Sequence, residues 1–261
     1  RLAESRRHGS AAVIRRTARL ADPYHPVAAL AAWTALRRAA QAAPDAGTAA
    51  CWLARSRART RAIAANAEHP SNELLLGAPG TMLAARAMYD RTGEERFAEL
   101  WRTSARTLLE RQEPDGLWTQ DLYGKRRRFL GAGHGFAGNV RALLGAPEWI
   151  DEEVIARAME TARATAVFDG DDANWPAIEG EELSRVQWCH GAPGFITSGA
   201  GDDELLAAAG ELTWRAGPLK NNPGLCHGTG GNGFALLALH ARTGDELWLE
   251  RARAFAMHGL A

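Results

Sequence analysis

Apolar side chains recur along the chain at the spacing of one helical face. Between Glu94 and Gln112 they fall at Phe97, Leu100, Trp101, Leu108 and Leu109. The same spacing returns near the C-terminus, between Leu247 and Ala256, and no segment shows a convincing strand-like alternation. The pattern therefore predicts an all-α protein.

The predicted helices are arranged in repeated units. The two clearest units each contain a glycine-rich turn, an apolar helix, a tight turn with Thr-Gly and an amphipathic second helix. Four turns contain G-x-x-G motifs, with first glycines at Gly77, Gly135, Gly191 and Gly228, separated by 58, 56 and 37 residues. Helical hairpins of this kind cannot bury their apolar faces alone and must stack. Stacking in a ring predicts an α/α toroid whose turns surround the mouth of a central cavity.

Two of these turns contain the same three residues, Cys-His-Gly, at Cys189–Gly191 and Cys226–Gly228. A thiolate beside an imidazole suits zinc. If both cysteines and both histidines bind one ion, the site is closed and structural. If one histidine points elsewhere, two cysteines and one histidine leave an exchangeable position open. Two buried Cys-His pairs without a metal are the remaining alternative.

Three further residues are candidates for chemistry near these turns. His134 is flanked by glycines and can exchange a proton near neutral pH, although it could instead cap a helix. Arg185 lies four residues before Cys189 and could stabilise an enolate oxygen, although a lone arginine is usually a solvated surface group. Glu73 heads the first G-x-x-G turn, and its plain alternative is an exposed acid.

Composition excludes several classes of function. The chain has 261 residues, 46% of them hydrophobic and 24% charged, as in an ordinary globular protein. The 31 acidic and 31 basic residues balance, which removes a bulk electrostatic case for nucleic acid or an anionic membrane as partner. No apolar run reaches the length of about 20 residues that a membrane helix needs.

Cysteine content and length indicate location and domain organisation. Three cysteines, an odd number, argue against a disulfide framework and favour a reducing cytoplasm. The third, Cys51, is interpreted as a small buried apolar residue. We expect one domain over residues 1–261, with an N-terminal helical part at 1–70 and the repeats with the zinc site at 71–261. Because the first residue is arginine, the chain could be a fragment.

Together these motifs resemble a known family. The segments Glu73–Gly77, Gly133–Gly135, Trp188–Gly194 and Gly224–Gly228, in this order, are similar to the lanthionine synthetase C-like proteins, and the resemblance extends over roughly residues 70–258. It implies an α/α toroid of inner and outer helices with zinc at its top. The chain shows four clear turn motifs, fewer than the toroid of the family, so the ring could be incomplete in this chain.

The resemblance also implies an active site. Its zinc ligands would be Cys189, Cys226 and His227, with the fourth position open to a substrate thiol. His134 would be the acid/base and Arg185 the active-site arginine. The remaining catalytic candidates are His190, where dedicated lanthipeptide cyclases commonly have tyrosine, and Glu73, where they have aspartate. Both residues match the eukaryotic-type branch of the family.

The implied reaction is the addition of a thiol to dehydroalanine or dehydrobutyrine, which forms a thioether. The thiol would be a peptide cysteine or glutathione, and the acceptor a dehydrated peptide or protein. The main alternative is a non-catalytic scaffold that is stabilised by zinc and binds peptides or a protein partner. A protein prenyltransferase would need an Asp ligand and a basic diphosphate site, and a toroid glycosidase would need paired carboxylates. Neither prenyltransferase feature is visible near the Cys-His motifs, and a glycosidase would have no need of the Cys-His set.

Overall fold

The computed structural model describes residues 41–42, 45, 61, 64–218 and 223–260. Cys51 and most of the predicted helical part at 1–70 lie outside these ranges. The helices with defined bounds, α1 to α8 in chain order, are Ala78–Thr92, Glu95–Glu110, Phe136–Leu143, Glu152–Ala164, Ala192–Ser198, Asp203–Ala216, Thr229–Thr243 and Glu246–Leu260. Short 3₁₀ helices occupy Asn66–Glu68 and Pro147–Trp149. The predicted helices at 94–112 and 247–256 are confirmed as α2 and α8.

In the described part of the chain, four three-residue strands accompany the helices. They form two antiparallel hairpins, β1 (Gln120–Leu122) with β2 (Lys125–Arg127) and β3 (Val167–Asp169) with β4 (Asp172–Asn174). The sequence did not predict them, because three residues are too few to display a two-residue alternation. None of the helices in the described ranges has the length and apolarity that a membrane crossing requires.

The tight Thr-Gly turn has the same geometry in both clear repeat units. After α1 and after α7 the helix ends at a glycine with positive φ, 65° at Gly93 and 72° at Gly244. The preceding threonine donates its hydroxyl to the carbonyl four residues earlier, at 2.8 Å for Thr92 and 2.9 Å for Thr243. The same oxygen accepts the backbone N–H two residues later. This local chemistry stops one helix and starts the next.

The chain divides into two compact units. The first contains residues 1–69 and 75–107, and the second contains 70–74 and 108–261. In the first unit, α1 and α2 pack around Ala84, Met88 and Phe97, with Tyr89 and Leu100 against them. The candidate site residues all belong to the second unit.

Buried aromatic rings form the core of the second unit. Trp118 lies 6.0 Å from Phe136, Phe136 lies 6.1 Å from Phe195, and Phe195 stacks on Trp175 at 3.8 Å between ring centroids. Each indole N–H is satisfied, since Trp118 donates to Leu108 and Trp175 to Ala162. Phe136 and Phe195 belong to α3 and α5, so this cluster fixes two of the helices that follow the glycine-rich turns.

Candidate metal centre

The four glycine-rich turns have the same register. In each, the first glycine of the G-x-x-G motif is the N-cap residue, directly before the first residue of the helix, namely Gly77, Gly135, Gly191 and Gly228. The residue immediately before that glycine is Leu76, His134, His190 or His227. The register predicted from the sequence is therefore confirmed at the level of the helix starts, and three histidines occupy equivalent positions.

The second glycine of the motif is required by a close backbone approach. A Cβ at Gly138 would lie 2.4 Å from the carbonyl oxygen of Ala132, and one at Gly194 would lie 2.3 Å from that of Trp188. At Gly231 the corresponding distance, to the oxygen of Leu225, is 2.0 Å. In every case the carbonyl lies three residues before the first glycine. Only glycine lets the helix start pack this closely on its own turn.

Three of the turns also contact one another. The backbone N–H of Cys189 donates to the carbonyl of Cys226 at 3.0 Å. A Cβ at Gly131 would lie 1.9 Å from the carbonyl oxygen of Cys189, and one at Gly133 would lie 3.3 Å from its Cβ. Segments that are 37 or more residues apart in sequence therefore meet through backbone contacts.

This packing brings together Cys189, Cys226 and His227. One ligand atom from each, the two Sγ atoms and a ring nitrogen, lies within 4.8 Å of the others. The ligands of one tetrahedral zinc lie about 3.5–3.8 Å apart, given metal–ligand distances of about 2.0–2.3 Å. A small movement of the side chains would therefore complete the site. The donor set fits zinc, and His190 is not part of the group.

The Cys189 thiol resists ionisation when no cation lies beside it. Burial, followed by the neighbouring Cys226 sulfur, raises the pKa of the Cys189 thiol to about 12. Both cysteines are free of disulfides, with Cys189 buried and Cys226 exposed. A divalent cation is the group that would hold such a pair as thiolates.

His134 pairs with Glu73. Its Nδ1 lies 3.0 Å from Oε2 of Glu73, whose side chain is fully buried, while His134 remains 22% exposed. The plain alternatives are not observed here, since Glu73 is not an exposed acid and the helix start at Gly135 has no side-chain cap. A carboxylate on Nδ1 fixes the ring and leaves Nε2 for a substrate.

The segment that holds Glu73 is itself anchored. Asn72 has φ +48°, a conformation that asparagine tolerates better than most residues. Its amide donates to the carbonyl of Thr119 at 2.9 Å and accepts from Arg111 at 3.1 Å. Its own carbonyl accepts from Asn139 at 3.1 Å.

Sequence reasoning missed the asparagines that hold these turns. Asn139 binds the carbonyl before Glu73, and Asn232 donates to the carbonyl of Val186 at 3.0 Å. Each directly follows the second glycine of a G-x-x-G motif, after Gly138 and after Gly231. The signal was thus a shared Gly-Asn pair in two of the four turns.

His190 and Arg185 lie beside the group without joining it. Burial, together with the nearby charges of Arg185 and His134, lowers the pKa of His190 to about 4, so His190 is neutral at pH 7. Its Nδ1 is buried and has no hydrogen-bond partner among the described residues. Arg185 is exposed, and its carbonyl accepts from Asn174 at 3.1 Å.

Comparisons with known proteins extend these observations. The sequence profile of the family described as "Lanthionine synthetase C-like protein" matches residues 39–260. LanC-like protein GCL1 of Arabidopsis thaliana is 34% identical over 143 residues, which are 50% of this chain and 32% of that protein. Glutathione S-transferase LANCL1 of Danio rerio is 31% identical over 151 residues, 53% of this chain and 36% of that protein.

A solved structure shares the fold. The structure of nisin cyclase matches with a TM-score of 0.65 at 14% identity, covering 89% of this chain and 69% of that chain. This likeness confirms the predicted fold class, an all-α protein of the α/α toroid type. The matches to the two eukaryotic relatives span about a third of each of those proteins.

Proposed function

Because this chain belongs to the lanthionine synthetase C-like family, whose profile matches residues 39–260, we propose that it adds a thiol to dehydroalanine or dehydrobutyrine residues and so forms a thioether. The observation that carries the proposal is the meeting of Cys189, Cys226 and His227, whose ligand atoms lie within 4.8 Å of one another. The His134–Glu73 pair in the same unit supplies a proton-transfer group.

In the proposed site Cys189, Cys226 and His227 hold Zn²⁺. Bound there, the ion would lower the pKa of a substrate thiol, so that a thiolate is available at neutral pH. Three protein ligands, with His190 outside the group, fit a site that keeps a position for the substrate.

The chain's own residues then complete the addition. The thiolate sulfur forms a bond to the β-carbon of the acceptor, the carbon–carbon double bond becomes single, and its electron pair moves to the carbonyl oxygen as an enolate. His134, oriented by Glu73, delivers a proton to the α-carbon, while the proton of the thiol is released. Arg185 stabilises the enolate oxygen. His190, neutral at pH 7, lines the site as a polar group without charge.

We favour glutathione over a peptide cysteine as the thiol donor. The similarity to the glutathione S-transferase LANCL1 supports this choice, and so do His190 and Glu73, which match the eukaryotic-type branch of the family. The acceptor is a dehydrated peptide or protein. The free thiols of Cys189 and Cys226 support a reducing compartment such as the cytoplasm, where a disulfide would not remove two ligands.

The experiment that separates an enzyme from a binding scaffold is a single-turnover and steady-state assay of His134→Gln. With glutathione and a dehydroalanine peptide, we expect a loss of about 100-fold or more in kcat. Zinc content should not change, because His134 is not a ligand in this proposal. The matched control is His258→Gln, an exposed helical histidine that should retain full activity. A scaffold would bind the peptide and its zinc equally in all three proteins and show no turnover in any.

A further inference from the structure

The hairpin formed by β1 and β2 reaches the candidate site. Its two-residue turn, Tyr123 and Gly124, has positive φ at both positions, 55° and 71°, as a tight hairpin turn requires. The Tyr123 ring lies edge-on to the His134 ring with 6.1 Å between centroids, yet Tyr123 is 80% exposed. An exposed aromatic ring beside the proposed proton donor is therefore available to a substrate.

The same hairpin has a concentrated positive charge. Lys125, Arg126, Arg127 and Arg128 are consecutive. Arg128 is neutralised by Glu113, Asp115 and Glu179.

The other three cations of this run are exposed. Within the described residues, none of them forms an ion pair. Asp121 lies opposite Arg126 in the strand register and is the one acidic residue of the two strands. These three side chains are therefore open to a negatively charged ligand, although the three carboxylates on Arg128 and Asp121 balance the charge of the run as a whole.

The three arginines of this run border a cavity of about 460 Å³, large enough for several side chains. Its lining residues are Thr119, Arg126, Arg127, Arg128, Ile178 and Glu179. The wall of the cavity is continuous with the hairpin, since Glu179 donates its N–H to the carbonyl of Arg128 at 2.9 Å. Arginine is the side chain best shaped to bind a carboxylate with two parallel hydrogen bonds.

We propose that this hairpin and its cavity bind acidic side chains of the acceptor peptide beside the dehydrated residue. Arg126 and Arg127 pair with the carboxylates, and Tyr123 contacts the segment that passes His134. The inference rests on the proposed function and names its acceptor class, a dehydrated segment flanked by Asp or Glu. Glutathione also has carboxylates, but its sulfur would lie at the zinc site formed by Cys189, Cys226 and His227. The hairpin instead adjoins His134, where the acceptor would receive its proton.

The test compares two fluorescein-labelled dehydroalanine peptides that differ only in flanking Glu or Gln residues. Binding is measured by anisotropy at two salt concentrations, and kcat/KM is measured with saturating glutathione. The variant is R126Q/R127Q. The control is R141Q/R253Q, which removes two exposed helical arginines that do not line this cavity.

We expect the unchanged protein to prefer the Glu peptide about fivefold or more at low salt and to lose that preference at high salt. R126Q/R127Q should abolish the preference for the Glu peptide. Its affinity and kcat/KM for the Gln peptide, its zinc content and its KM for glutathione should not change. The proposal would be overturned if R126Q/R127Q lost affinity equally for both peptides. It would also be overturned if the variant had a raised KM for glutathione and kept the preference for the Glu peptide. The anisotropy measurement does not depend on turnover. If the protein bound the Glu peptide preferentially but catalysed no addition of glutathione, the proposed reaction would be contradicted and this inference would be upheld.

Discussion

At the scale of single residues, the site depends on how a buried carboxylate is positioned. Glu73 is fully buried and bonds to His134 Nδ1, and the residue before it, Asn72, is bonded to Thr119, Arg111 and Asn139. A buried acid that has a specific partner beside a candidate metal site is typical of a positioning residue. We therefore expect Glu73 to act through His134.

Replacing Glu73 with glutamine tests that role. Glutamine keeps the size of the side chain and can still accept from Nδ1, but it removes the negative charge opposite the imidazole. We expect kcat to fall by about 10- to 100-fold, with the KM for glutathione and the zinc content unchanged. Steady-state kinetics with elemental analysis provide the measurement. A rise in KM without a fall in kcat would show that Glu73 shapes binding instead.

The candidate metal ligands could be predicted from the sequence, whereas the residues that hold their turns in place could not. Cys189, Cys226 and His227 stand out because two identical triplets are rare by chance, and the structure brings them together. Asn72 gave no signal of its own, because its role arises from partners 39 to 67 residues away. Only the folded chain displays such contacts.

At the scale of elements, each of these turns is packed closely against the start of the helix that follows it. In three of the four motifs the second glycine lies against a carbonyl of its own turn, and the turns with Cys189 and Cys226 are joined by a backbone hydrogen bond. We therefore expect a disturbance of one helix start to move the candidate ligands.

Gly138→Ala tests the close approach. The new Cβ would lie 2.4 Å from the carbonyl of Ala132, so the turn that bears His134 must shift. We expect a loss of about 2–3 kcal/mol in the free energy of unfolding, measured by urea denaturation. The control is Gly180→Ala, where φ is +77° and no atom lies within 4 Å of the Cβ. Backbone strain alone should cost about 1 kcal/mol there. Equal effects in both variants would rule out the clash.

Asp202 at the start of α6 makes the stability depend on pH. Its carboxylate accepts the N–H of Leu205 at 2.9 Å, and this bond, with Arg163 beside it, holds its pKa below the usual 3.8. The unfolded chain binds the proton more readily. The stabilisation is therefore complete above about pH 3.8 and is lost as pH falls through the lower folded value.

We expect Asp202→Ala to cost about 1 kcal/mol at pH 7, as for other helix caps. The difference in free energy of unfolding between the variant and the unchanged protein should shrink below about pH 3.8, as the Asp202 carboxylate becomes protonated. Urea unfolding at pH 7 and pH 3 measures both values. A difference that stays constant or grows in acid would contradict the capping account.

Among the elements, the helical hairpins were predictable and the strand hairpins were not. The Thr-Gly turns after α1 and α7 contain their own stop signals, in Gly93 and Gly244. The β1–β2 hairpin depends on a two-residue turn at Tyr123 that lacks the usual Asn-Gly signal.

At the scale of the whole molecule, the family and the fold class followed from motif order. The profile match at 39–260 and the likeness to nisin cyclase agree with a toroid inferred from repeated G-x-x-G turns. Net charge is zero, so the proposed recognition of acidic acceptor peptides depends on local groups, the hairpin cations. The single domain over 1–261 remains a prediction.

Zinc content is the measurement that tests the account most directly. Elemental analysis of the purified protein should find about one zinc ion per chain, lost in Cys226→Ala and His227→Ala. His190→Ala should keep its zinc, because His190 lies outside the ligand group, and Cys51→Ala serves as the matched cysteine control. A protein without zinc, or a Cys226→Ala variant that retains it, would contradict the metal centre and the proposed chemistry together.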